Sequence, residues 1–304
     1  MMYTILVTGA TGTVGSEVVK QLASLSSSSL NHVIVRAGVH SPNKSDKLKQ
    51  YKTIEIAHMD YYKPETIANA LQNIDKLFLL TPIAPDMAQI SSDLIKEAKK
   101  NNVKHLVKLS AMGSDIEPAT TIMRLHRQEE KIIQESGIPY TFLRPVGFMQ
   151  NFVNFFGQTI RNQNAFYLPA GEGRVSFIDA RDIASVAVNT LVAANNDDDD
   201  DRQHIGKTYS ITGDELLTYK QAAEILSEGV CKKINYVDIS DEDARKAMKD
   251  IGLEDWLIEG MMDLYNMIRN DVYAAKITNT VKQITGKKPI SLLQFAEDYA
   301  EFFR

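Results

Sequence analysis

The sequence predicts an α/β fold, in which a doubly wound parallel sheet carries helices on both faces and a small, mostly helical second lobe completes the chain. Apolar, strand-like runs alternate with helical patterns six times over the first half, which is typical of parallel strands joined by crossover helices. The first run passes directly into three glycines and an amphipathic helical pattern. With 304 residues, the chain is long enough for one large domain with an elaborated lobe.

Composition and charge indicate an ordinary globular protein, with 44% hydrophobic and 24% charged residues. The net charge of −5 argues against a broad nucleic-acid surface, and no uninterrupted apolar run approaches membrane-spanning length. The first strand begins so close to Met1 that we expect no signal peptide. Cys231 is the single cysteine, so no intramolecular disulfide can form, which fits a reducing compartment. We therefore expect a cytoplasmic protein, with nuclear entry left open, and no direct nucleic-acid or membrane partner.

The opening segment predicts a dinucleotide-binding turn of the Rossmann type. Residues 5–7 form an apolar strand, and Gly9, Gly12 and Gly15 follow it at the start of a helical pattern. In such a unit one glycine allows a sharp turn, one lets the backbone approach a pyrophosphate, and one allows tight packing, while the helix N-terminus favours phosphate charge. The alternative is a purely structural turn. The residues that we expect to bind the cofactor here are Gly9, Thr11, Gly12, Thr13, Val14 and Gly15.

The second strand, predicted over residues 32–37, carries Arg36 near its end. In a dinucleotide fold this position lies beside the adenosine ribose, where an acidic residue bonds the 2′-hydroxyl and an arginine accommodates a 2′-phosphate. No Asp or Glu ends the strand, so the sequence favours NADP(H) over NAD(H) as cofactor. Lys44 and Lys47 in the following loop could add positive charge. The alternative is that all three are solvated loop charges.

The third and fourth strands end at polar or proline-containing segments. Residues 53–59 predict a strand that leads to Asp60, whose carboxylate could accept a hydrogen bond from the adenine amino group. The alternative for Asp60 is a turn or cap carboxylate before the next helix. Residues 76–80 predict a strand that runs into Thr81 and Pro82. We expect this loop to lie over the cofactor, because ligands of open α/β sheets bind at the carboxyl ends of strands.

Two more strands complete the predicted parallel sheet of the first half. Residues 86–101 predict a helix, and residues 105–109 predict the fifth strand, which leads into Ser110. A second helix is predicted over residues 120–135, and the sixth strand over residues 140–143. This alternation supports the doubly wound arrangement.

The second half is less regular. Residues 148–156 are dense in aromatic residues and methionine, which favours the lining of a core or lobe interface, with an apolar substrate pocket as the alternative. The acidic run at 195–201 predicts a solvated, disordered loop rather than a metal site. A further strand is predicted over 207–212, and the remainder from 216 onward is mostly helical.

These patterns predict two structural parts. The first is a dinucleotide-binding domain over residues 1–155, completed by residues 179–213. The second is a small substrate or partner lobe, formed by residues 156–178 and 214–304. We expect the irregular segments of the second half to form this lobe and to close over the cofactor.

Several segments together carry a family resemblance over essentially the whole chain. They are Val7-Thr-Gly-Ala-Thr-Gly-Thr-Val-Gly15, Arg36, Leu109-Ser-Ala111, Ser136-Gly-Ile-Pro-Tyr-Thr-Phe-Leu-Arg-Pro145, Phe148-Met-Gln-Asn151, Phe177-Ile-Asp-Ala-Arg-Asp182 and Thr285-Gly-Lys-Lys-Pro-Ile-Ser291. Together they resemble the NmrA-like branch of the atypical short-chain dehydrogenase/reductases. Many families share the glycine motif, whereas the segments at 136–145 and 148–151 are more specific to this branch.

The resemblance implies two kinds of function. The branch contains NAD(P)H quinone reductases, related dye and aromatic reductases, and cofactor-binding regulators with little or no turnover. The leading expectation is an NADP(H)-binding protein that reduces quinone-like small-molecule acceptors with NADPH. The alternative is a catalytically silent redox sensor that acts through protein partners, including in transcriptional regulation.

The helix before residue 137 departs from the ordinary short-chain dehydrogenases. Those enzymes use a Tyr-x-x-x-Lys pair, in which the tyrosine protonates the substrate oxygen and the lysine lowers the tyrosine pKa and holds the ribose. Here Ile122 falls at the tyrosine position and His126 at the lysine position. His126 is the candidate catalytic residue, because histidine titrates near neutrality and could bond the nicotinamide ribose or protonate a reduced quinone oxygen. The alternative is a partly exposed helix histidine with no role.

Two further residues are assigned by the resemblance. Ser110 follows the fifth strand, where the larger superfamily places a catalytic serine, and here it could bond the carboxamide side of the site or cap the turn. Asn151 matches the asparagine that the family places near the nicotinamide. The alternative interpretation is that Asn151 is a buried amide whose hydrogen bonds are satisfied within the protein. The other histidines have no spacing that suggests a metal site, so we expect none.

Overall fold

Strands and helices alternate along the chain in the computed structural model, which describes residues 3–26, 33–41, 45–51, 53–117, 119–192, 203–272 and 276–304. The strands are β1 (Tyr3–Val7), β2 (Val33–Val39), β3 (Ile54–His58), β4 (Lys76–Leu79), β5 (His105–Leu109), β6 (Tyr140–Pro145), β7 (Ala165–Leu168), β8 (Arg174–Val175), β9 (Lys207–Ile211), β10 (Leu217–Thr218) and β11 (Asn235–Asp238). The helices are α1 (Thr13–Ser26), α2 (Asp46–Lys49), α3 (Pro64–Leu71), α4 (Met87–Lys100), α5 (Thr121–Ser136), α6 (Asn151–Asn154), α7 (Gly157–Gln163), α8 (Ala180–Val192), α9 (Tyr219–Val230), α10 (Asp241–Asp250), α11 (Asp255–Arg269), α12 (Thr280–Thr285) and α13 (Leu292–Asp298), followed by a short 3₁₀ helix at Ala300–Phe302.

The central sheet has seven strands in the order β3-β2-β1-β4-β5-β6-β9. Parallel pairing joins β1 to β2 and β4, β2 to β3, and β5 to β4 and β6. The chain builds outward from β1 in one direction and then from β4 in the other, so the strand order reverses between β1 and β4. The predicted doubly wound α/β fold is confirmed. This topology places the residues that follow β1, β4 and β5 at one edge of the sheet, where such folds bind ligands.

The sheet is held by an apolar core on a face that helices cover. Leu6, Leu77 and Leu79 of the strands belong to one buried cluster with Ile90 and Leu94 of α4. Parallel strands read as continuous apolar runs because helices exclude water from both of their faces. Each fully buried aliphatic side chain contributes about 1.5–3 kcal/mol. The core therefore fixes the strand ends that carry the candidate site.

Most predicted elements agree with the structure to within one or two residues, and the two-residue difference at the end of β2 is the one that matters for the site. This strand continues to Val39, beyond its predicted end at residue 37, because Gly38 and Val39 remain paired with β3. Glycine weakens most strands, and a Cβ at Gly38 would lie 3.0 Å from the Met59 sulfur, so a larger residue fits there only if the Met59 side chain shifts. Lys44 and the acidic run at 195–201 lie outside the described residues, and of Lys47 only the backbone is described.

The chain divides into two compact units. The first unit comprises Met1–Ala111, Leu125–Arg144 and Ile183–Tyr209, and the second comprises Met112–Arg124, Pro145–Asp182 and Ser210–Arg304. The first unit thus runs to Arg144 in the first half of the chain and is completed by Ile183–Tyr209, whereas the predicted division was 1–155 completed by 179–213. The start of α5 belongs to the second unit, which the predicted division did not anticipate.

The second unit is built from helices and two small strand pairs. β7 pairs with β11 in parallel, and β8 pairs with β10 in antiparallel. α9 begins at a capping box, in which the side chains of Thr218 and Gln221 each satisfy a backbone N–H of the other. α9 packs closely on α13, since a Cβ on Gly229 would lie 2.6 Å from the Cβ of Ala296. The capping box and the close packing fix the position of α9 within this unit.

Candidate functional site

The glycine turn between β1 and α1 has a backbone geometry that requires glycine. Gly9 adopts a left-handed φ of 60°, which costs other L-residues about 1–2 kcal/mol. Its carbonyl oxygen accepts a hydrogen bond from the N–H of Gly12 at 2.9 Å. A Cβ on Gly15 would lie 2.1 Å from the same oxygen, so α1 can pack this closely only with glycine there. Gly9 and Gly15 are therefore needed for the shape of the turn itself.

Gly12 differs because the space around it is open. A Cβ there would meet only the carbonyl oxygen of Gly9, at 3.3 Å, and both Thr11 and Gly12 are exposed. α1 begins at Thr13 and runs for 14 residues, so the positive end of its dipole faces this opening. An anionic group can approach the backbone here without a steric clash. The residues present thus fit a dinucleotide pyrophosphate.

The predicted placement of Arg36 at the end of β2 is wrong, because the strand continues to Val39. The guanidinium donates from Nε to Glu55 Oε2 at 2.9 Å, and from Nη1 to the carbonyl oxygens of Ala70 and Gln72 at 3.1 and 2.6 Å. Ala70 and Gln72 lie at the C-terminus of α3, a crossover helix that runs back along the sheet away from the carboxyl ends of the strands. The Arg36 guanidinium is therefore held away from the edge where a 2′-phosphate is expected.

The residues that do follow β2 and β3 are His40 and Asp60. His40 is exposed, and its Nδ1 lies 3.9 Å from Asp60 Oδ1. Asp60 Oδ1 accepts a hydrogen bond from the Tyr62 N–H at 3.0 Å, and Oδ2 lies 3.2 Å from Lys63 Nζ. The Tyr62 N–H lowers the pKa of Asp60, with help from Lys63 and against the effect of partial burial. Asp60 is thus a turn carboxylate, and its contact with adenine stays a prediction.

A fully buried ion pair lies next to the loop that follows β4. Lys108 Nζ of β5 lies 2.8 Å from Glu129 Oε2 of α5, and both side chains are 0% exposed. Thr81 Oγ1 donates a hydrogen bond to Glu129 Oε1 at 2.6 Å and accepts one from Lys108 Nζ at 3.1 Å. Burial alone would raise the pKa of Glu129, but Lys108 and His126 together outweigh it and hold the pKa at about 2. The position of Thr81 is therefore set by two buried charges.

His126 joins this buried cluster from α5. Its side chain is 10% exposed, and its Nδ1 is fully buried, with no hydrogen-bond partner among the described residues and Glu129 Oε2 facing it at 3.5 Å. Burial lowers the pKa of His126, and Lys108 acts in the same direction against the pull of Glu129. The alternative of a partly exposed histidine is excluded, whereas contact with a cofactor stays a prediction. Ile122, four residues earlier, supplies no acidic proton at the tyrosine position.

Ser110 belongs to a second buried network in the same unit. Its hydroxyl donates to Glu130 Oε1 at 2.7 Å. Arg144 binds the same carboxylate through two hydrogen bonds, from Nε at 2.8 Å and from Nη2 at 2.7 Å, and Arg127 Nη1 donates to it at 3.1 Å. This bidentate geometry fixes both partners strongly. The Ser110 hydroxyl hydrogen is committed to Glu130, and the predicted contact of Ser110 with the cofactor remains untested.

Leu80, between β4 and Thr81, is held by two side chains. Thr8 Oγ1 donates to the carbonyl oxygen of Leu80 at 2.8 Å and accepts from its N–H at 2.7 Å, and the Tyr61 hydroxyl donates to the same carbonyl at 2.9 Å. Burial raises the pKa of Tyr61 to about 12. Tyr61 therefore anchors the loop as a neutral donor and does not replace the missing tyrosine acid. Pro82, the next predicted cofactor contact, is exposed.

The second unit contains a pocket lined largely by aromatic rings. Phe152 is fully buried and packs on Phe177 and Phe166, with ring centroids 5.2 and 5.5 Å apart, so the core interpretation holds for this residue. The cavity volume of this pocket is about 70 Å³, and none of its described lining residues is charged. Asn151, at the start of α6, places an amide in its wall. The aromatic residues of the wall are Phe148, Phe152, Phe155, Phe156, Phe177, Tyr219 and Tyr265.

Two other kinds of site do not occur in the described part of the chain. Within the ranges that the structure covers, no helix is both long and apolar enough to span a membrane. Among the same residues, no three His, Cys, Asp or Glu side chains lie close enough together to hold a metal ion. The candidate site is thus described by the glycine turn, the buried polar networks and the aromatic pocket.

The Lys108–Glu129 pair was not predicted, although the sequence contains a signal for it. Lys108 interrupts the apolar strand His105–Leu109, whose neighbours are buried on both faces. Lys and Glu are almost never fully buried unless they are paired, so a charge inside such a strand predicts a partner. Glu129 lies one helical turn after His126, which places both on one face of α5. His40 was missed because the end of β2 was placed too early.

Comparisons with known proteins agree with this geometry. Residues 1–297 match the model of the NmrA-like family. The chain is 36% identical over 299 residues to the NAD(P)H azoreductase of Xenophilus azovorans, an alignment that covers 98% of this chain and 99% of the relative. The structure of the present chain is similar to that of an NADPH-dependent quinone oxidoreductase from Escherichia coli complexed with NADPH. The TM-score is 0.81 and the identity is 26%, over 97% of this chain and 99% of the other.

A regulator shares the same fold. The structure of NmrA, a negative transcriptional regulator in complex with NAD, has a TM-score of 0.77 to this chain and covers 99% of it and 96% of its own length. The two chains are only 15% identical, so this likeness shows the fold alone.

Proposed function

The chain belongs to the NmrA-like family, as its motifs predicted, and from this premise we propose that it is an NADPH-dependent reductase of quinone-like aromatic acceptors. The relatives include an NAD(P)H azoreductase, matched over 99% of its length, and a quinone oxidoreductase, matched over 88% of its length. The first name specifies NAD(P)H and an azo acceptor, and the second specifies a quinone. The observations that support the same chemistry here concern the cofactor turn, the aromatic pocket and the buried charges.

The observation that carries the proposal is the glycine turn. Gly9 and Gly15 bring α1 against the end of β1, and Gly12 leaves the backbone open to an anion. These residues would hold the pyrophosphate of the dinucleotide at the positive end of α1. When bound, the cofactor supplies a hydride from its nicotinamide ring. The protein therefore has to bind, orient and shield the reactants rather than supply the electrons.

The preference for NADP(H) over NAD(H) is proposed on the residues that follow β2. His40 and Ser41 come directly after Val39, and neither is acidic. A carboxylate at this position would bond the ribose 2′-hydroxyl and repel a 2′-phosphate, so its absence favours NADP(H). His40 takes the place that Arg36 was predicted to fill, because it is exposed and its ring can donate a hydrogen bond to a phosphate. Predicted contacts at Asp60, Thr81, Pro82, Ser110 and Asn151 remain part of the proposal.

The aromatic pocket of the second unit is the proposed acceptor site. Its rings offer flat apolar surfaces on which a quinone ring can stack. Asn151 offers an amide that can donate a hydrogen bond to a quinone oxygen, which gains negative charge as the hydride arrives. With no charged lining residue, the pocket disfavours acceptors that carry a charge on the ring. The overall reaction consumes one hydride and one proton for each acceptor reduced.

Turnover is tested by following the absorbance of reduced nicotinamide with a panel of quinones. Phe155→Ser is the informative variant, because this ring lines the pocket but is 69% exposed, so the core stays intact. We expect the KM for the quinone to rise severalfold with the KM for NADPH unchanged. Phe302→Ser is the matched control, since this ring is 51% exposed and does not line the pocket. Equal kinetics for both variants would remove the pocket from the reaction.

The second candidate function is a redox sensor without turnover. It is favoured by the loss of the Tyr-Lys pair, since Ile122 and His126 stand at those positions and the buried Tyr61 is a poor acid. A sensor must bind NADP and NADPH with different affinities, by about 5.5 kcal/mol for a near-complete switch. Tight calorimetric binding of both forms without reduction of any quinone would support the sensor. A regulatory protein partner would then be sought by comparing partner binding in the two redox states.

A further inference from the structure

Glu129 lies between the buried lysine and His126, and its carboxylate faces the imidazole Nδ1, which has no hydrogen-bond partner among the described residues. We propose that Glu129 is a positioning residue, whose carboxylate fixes neutral His126 with its proton on Nδ1 and leaves Nε2 as a hydrogen-bond acceptor for a hydroxyl group of the bound cofactor. This inference rests on the proposed function and specifies how His126 takes part in it. His126 then binds and orients the cofactor and is not the proton donor of the reaction.

The tautomer follows from the polar atoms around the imidazole. Nδ1 is fully buried, and Glu129 Oε2 faces it at 3.5 Å. A deprotonated Nδ1 would bring two acceptors face to face inside the protein, where an unsatisfied buried polar atom costs about 1–3 kcal/mol. A proton on Nδ1 turns the same contact into a donor facing a carboxylate. The second arrangement is therefore favoured, because it removes the repulsion between two acceptors.

Glu129 can impose this choice because its own position is fixed. Thr81 Oγ1 donates a hydrogen bond to Oε1 at 2.6 Å, and Lys108 Nζ lies 2.8 Å from Oε2 as its ion-pair partner. Lys108 also donates to Thr81 at 3.1 Å, which closes a three-membered polar ring. All of these side chains are buried, so water does not compete for them. The carboxylate is thus a rigid acceptor rather than a mobile one.

The direction in which the pKa of His126 moves agrees with this role. Burial lowers it, and the Lys108 charge adds to the effect, so the neutral imidazole is favoured at neutral pH. A neutral imidazole with its proton on the buried Nδ1 has a lone pair on Nε2. The ring is 10% exposed and Nδ1 is not, so the accessible part lies on the side away from Glu129. An acceptor there suits the hydroxyl group of a ribose and cannot protonate a reduced quinone.

The first test reads the tautomer directly, in the protein without cofactor. Nitrogen NMR of histidine-labelled protein distinguishes the two neutral tautomers, and His126→Phe identifies the signals of this ring. We expect wild type to carry the proton on Nδ1. The double variant Lys108→Met/Glu129→Met removes both buried charges together, which keeps the volume and avoids an unpaired charge. In it we expect the proton to move to Nε2, while His105, which bonds Thr141 elsewhere in the same unit, keeps its signals.

The second test measures NADP binding by calorimetry and needs no turnover. His126→Gln places an amide oxygen where Nε2 can accept, so we expect its Kd to stay within about threefold of wild type. His126→Phe has no acceptor and should bind NADP about tenfold more weakly. Wild type with its proton on Nε2, a double variant with the wild-type tautomer, or normal NADP affinity in His126→Phe would each overturn the inference. Absence of quinone turnover would overturn the proposed reductase function instead. It would not change the tautomer measured by NMR or the NADP affinity measured by calorimetry.

Discussion

Breaking the Lys108–Glu129 pair tests how the polar cluster is held. Lys108→Met leaves the Glu129 carboxylate charged and 0% exposed, and it removes the donor that lies 3.1 Å from Thr81 Oγ1. Removing one partner of a buried ion pair costs about 3–5 kcal/mol, because the remaining charge keeps its desolvation penalty without its Coulomb partner. For a chain of this size we expect the midpoint of thermal unfolding to fall by about 10 °C.

An exposed pair provides the matched control. Lys249 Nζ lies 3.3 Å from Asp255 Oδ1, but both side chains are more than 70% exposed. Lys249→Met should change the stability by less than about 0.5 kcal/mol, because solvent screens such pairs. Urea denaturation of both variants measures the difference, with circular dichroism and fluorescence compared to detect separate unfolding of the two units. A cost below about 1 kcal/mol for Lys108→Met would refute the reasoning.

The same pair predicts a pH dependence with a definite sign. The pKa of Glu129 is held at about 2, below the ordinary value for glutamate, so the folded state binds its proton less tightly than the unfolded chain. The ionised Glu129 therefore stabilises the folded state fully at pH values above the ordinary glutamate pKa. This stabilisation is lost as the pH falls from the ordinary glutamate pKa toward about 2. Lys108→Met removes the lysine that holds the pKa down. Its deficit relative to wild type should therefore shrink as the pH falls through this range, and a constant deficit would contradict the assignment.

Three further predictions concern other parts of the chain. Gly15→Ala should abolish measurable NADP binding in calorimetry, because its Cβ would lie 2.1 Å from a backbone oxygen. His40→Asp should lower the ratio of kcat/KM for NADPH over NADH about tenfold or more, whereas Arg36→Leu should leave it unchanged; the reverse pattern would restore Arg36 as the phosphate contact. Burial raises the pKa of Asp182 to about 6, so its ionisation opposes folding as the pH rises. Asp182→Asn, which keeps an acceptor for the Ile290 N–H, should therefore stabilise the protein by on the order of 1–3 kcal/mol near pH 8 and little near pH 4, as measured by urea denaturation.

The fold was predictable from the sequence because local and global signals agree in the first half. The apolar runs that become β1, β4 and β5 are buried on both faces, and each is followed by an amphipathic helix. The glycine turn added a second, independent signal at the point where the sheet reverses. The second half was harder, since β8 and β10 have two residues each and such short strands have no periodicity to read.

The site was less predictable because its charges act over long sequence distances. Lys108 and Glu129 are 21 residues apart, on a strand and a helix whose contact only the folded chain reveals. Arg36 shows the opposite error, since an arginine near a strand end matched an expected role while its guanidinium is occupied by Glu55 and α3. A one-dimensional pattern gives the position of a residue along a strand only to within a few residues. At about 3.3 Å per residue, the two-residue error in the end of β2 moves Arg36 by about 7 Å relative to the strand end.

Stability alone does not account for the buried pair. Replacing a buried ion pair with apolar residues of similar volume is often neutral or stabilising, by about 1–4 kcal/mol. What apolar residues cannot do is hold the hydroxyl of Thr81 and face Nδ1 of His126 with an acceptor, as Glu129 does. The double variant Lys108→Met/Glu129→Met separates the two roles, because we expect it to unfold close to the wild-type midpoint and still to bind NADP about tenfold more weakly. If it lost stability as strongly as Lys108→Met and bound NADP normally, the pair would be a structural element of the core and Glu129 would have no part in the cofactor site.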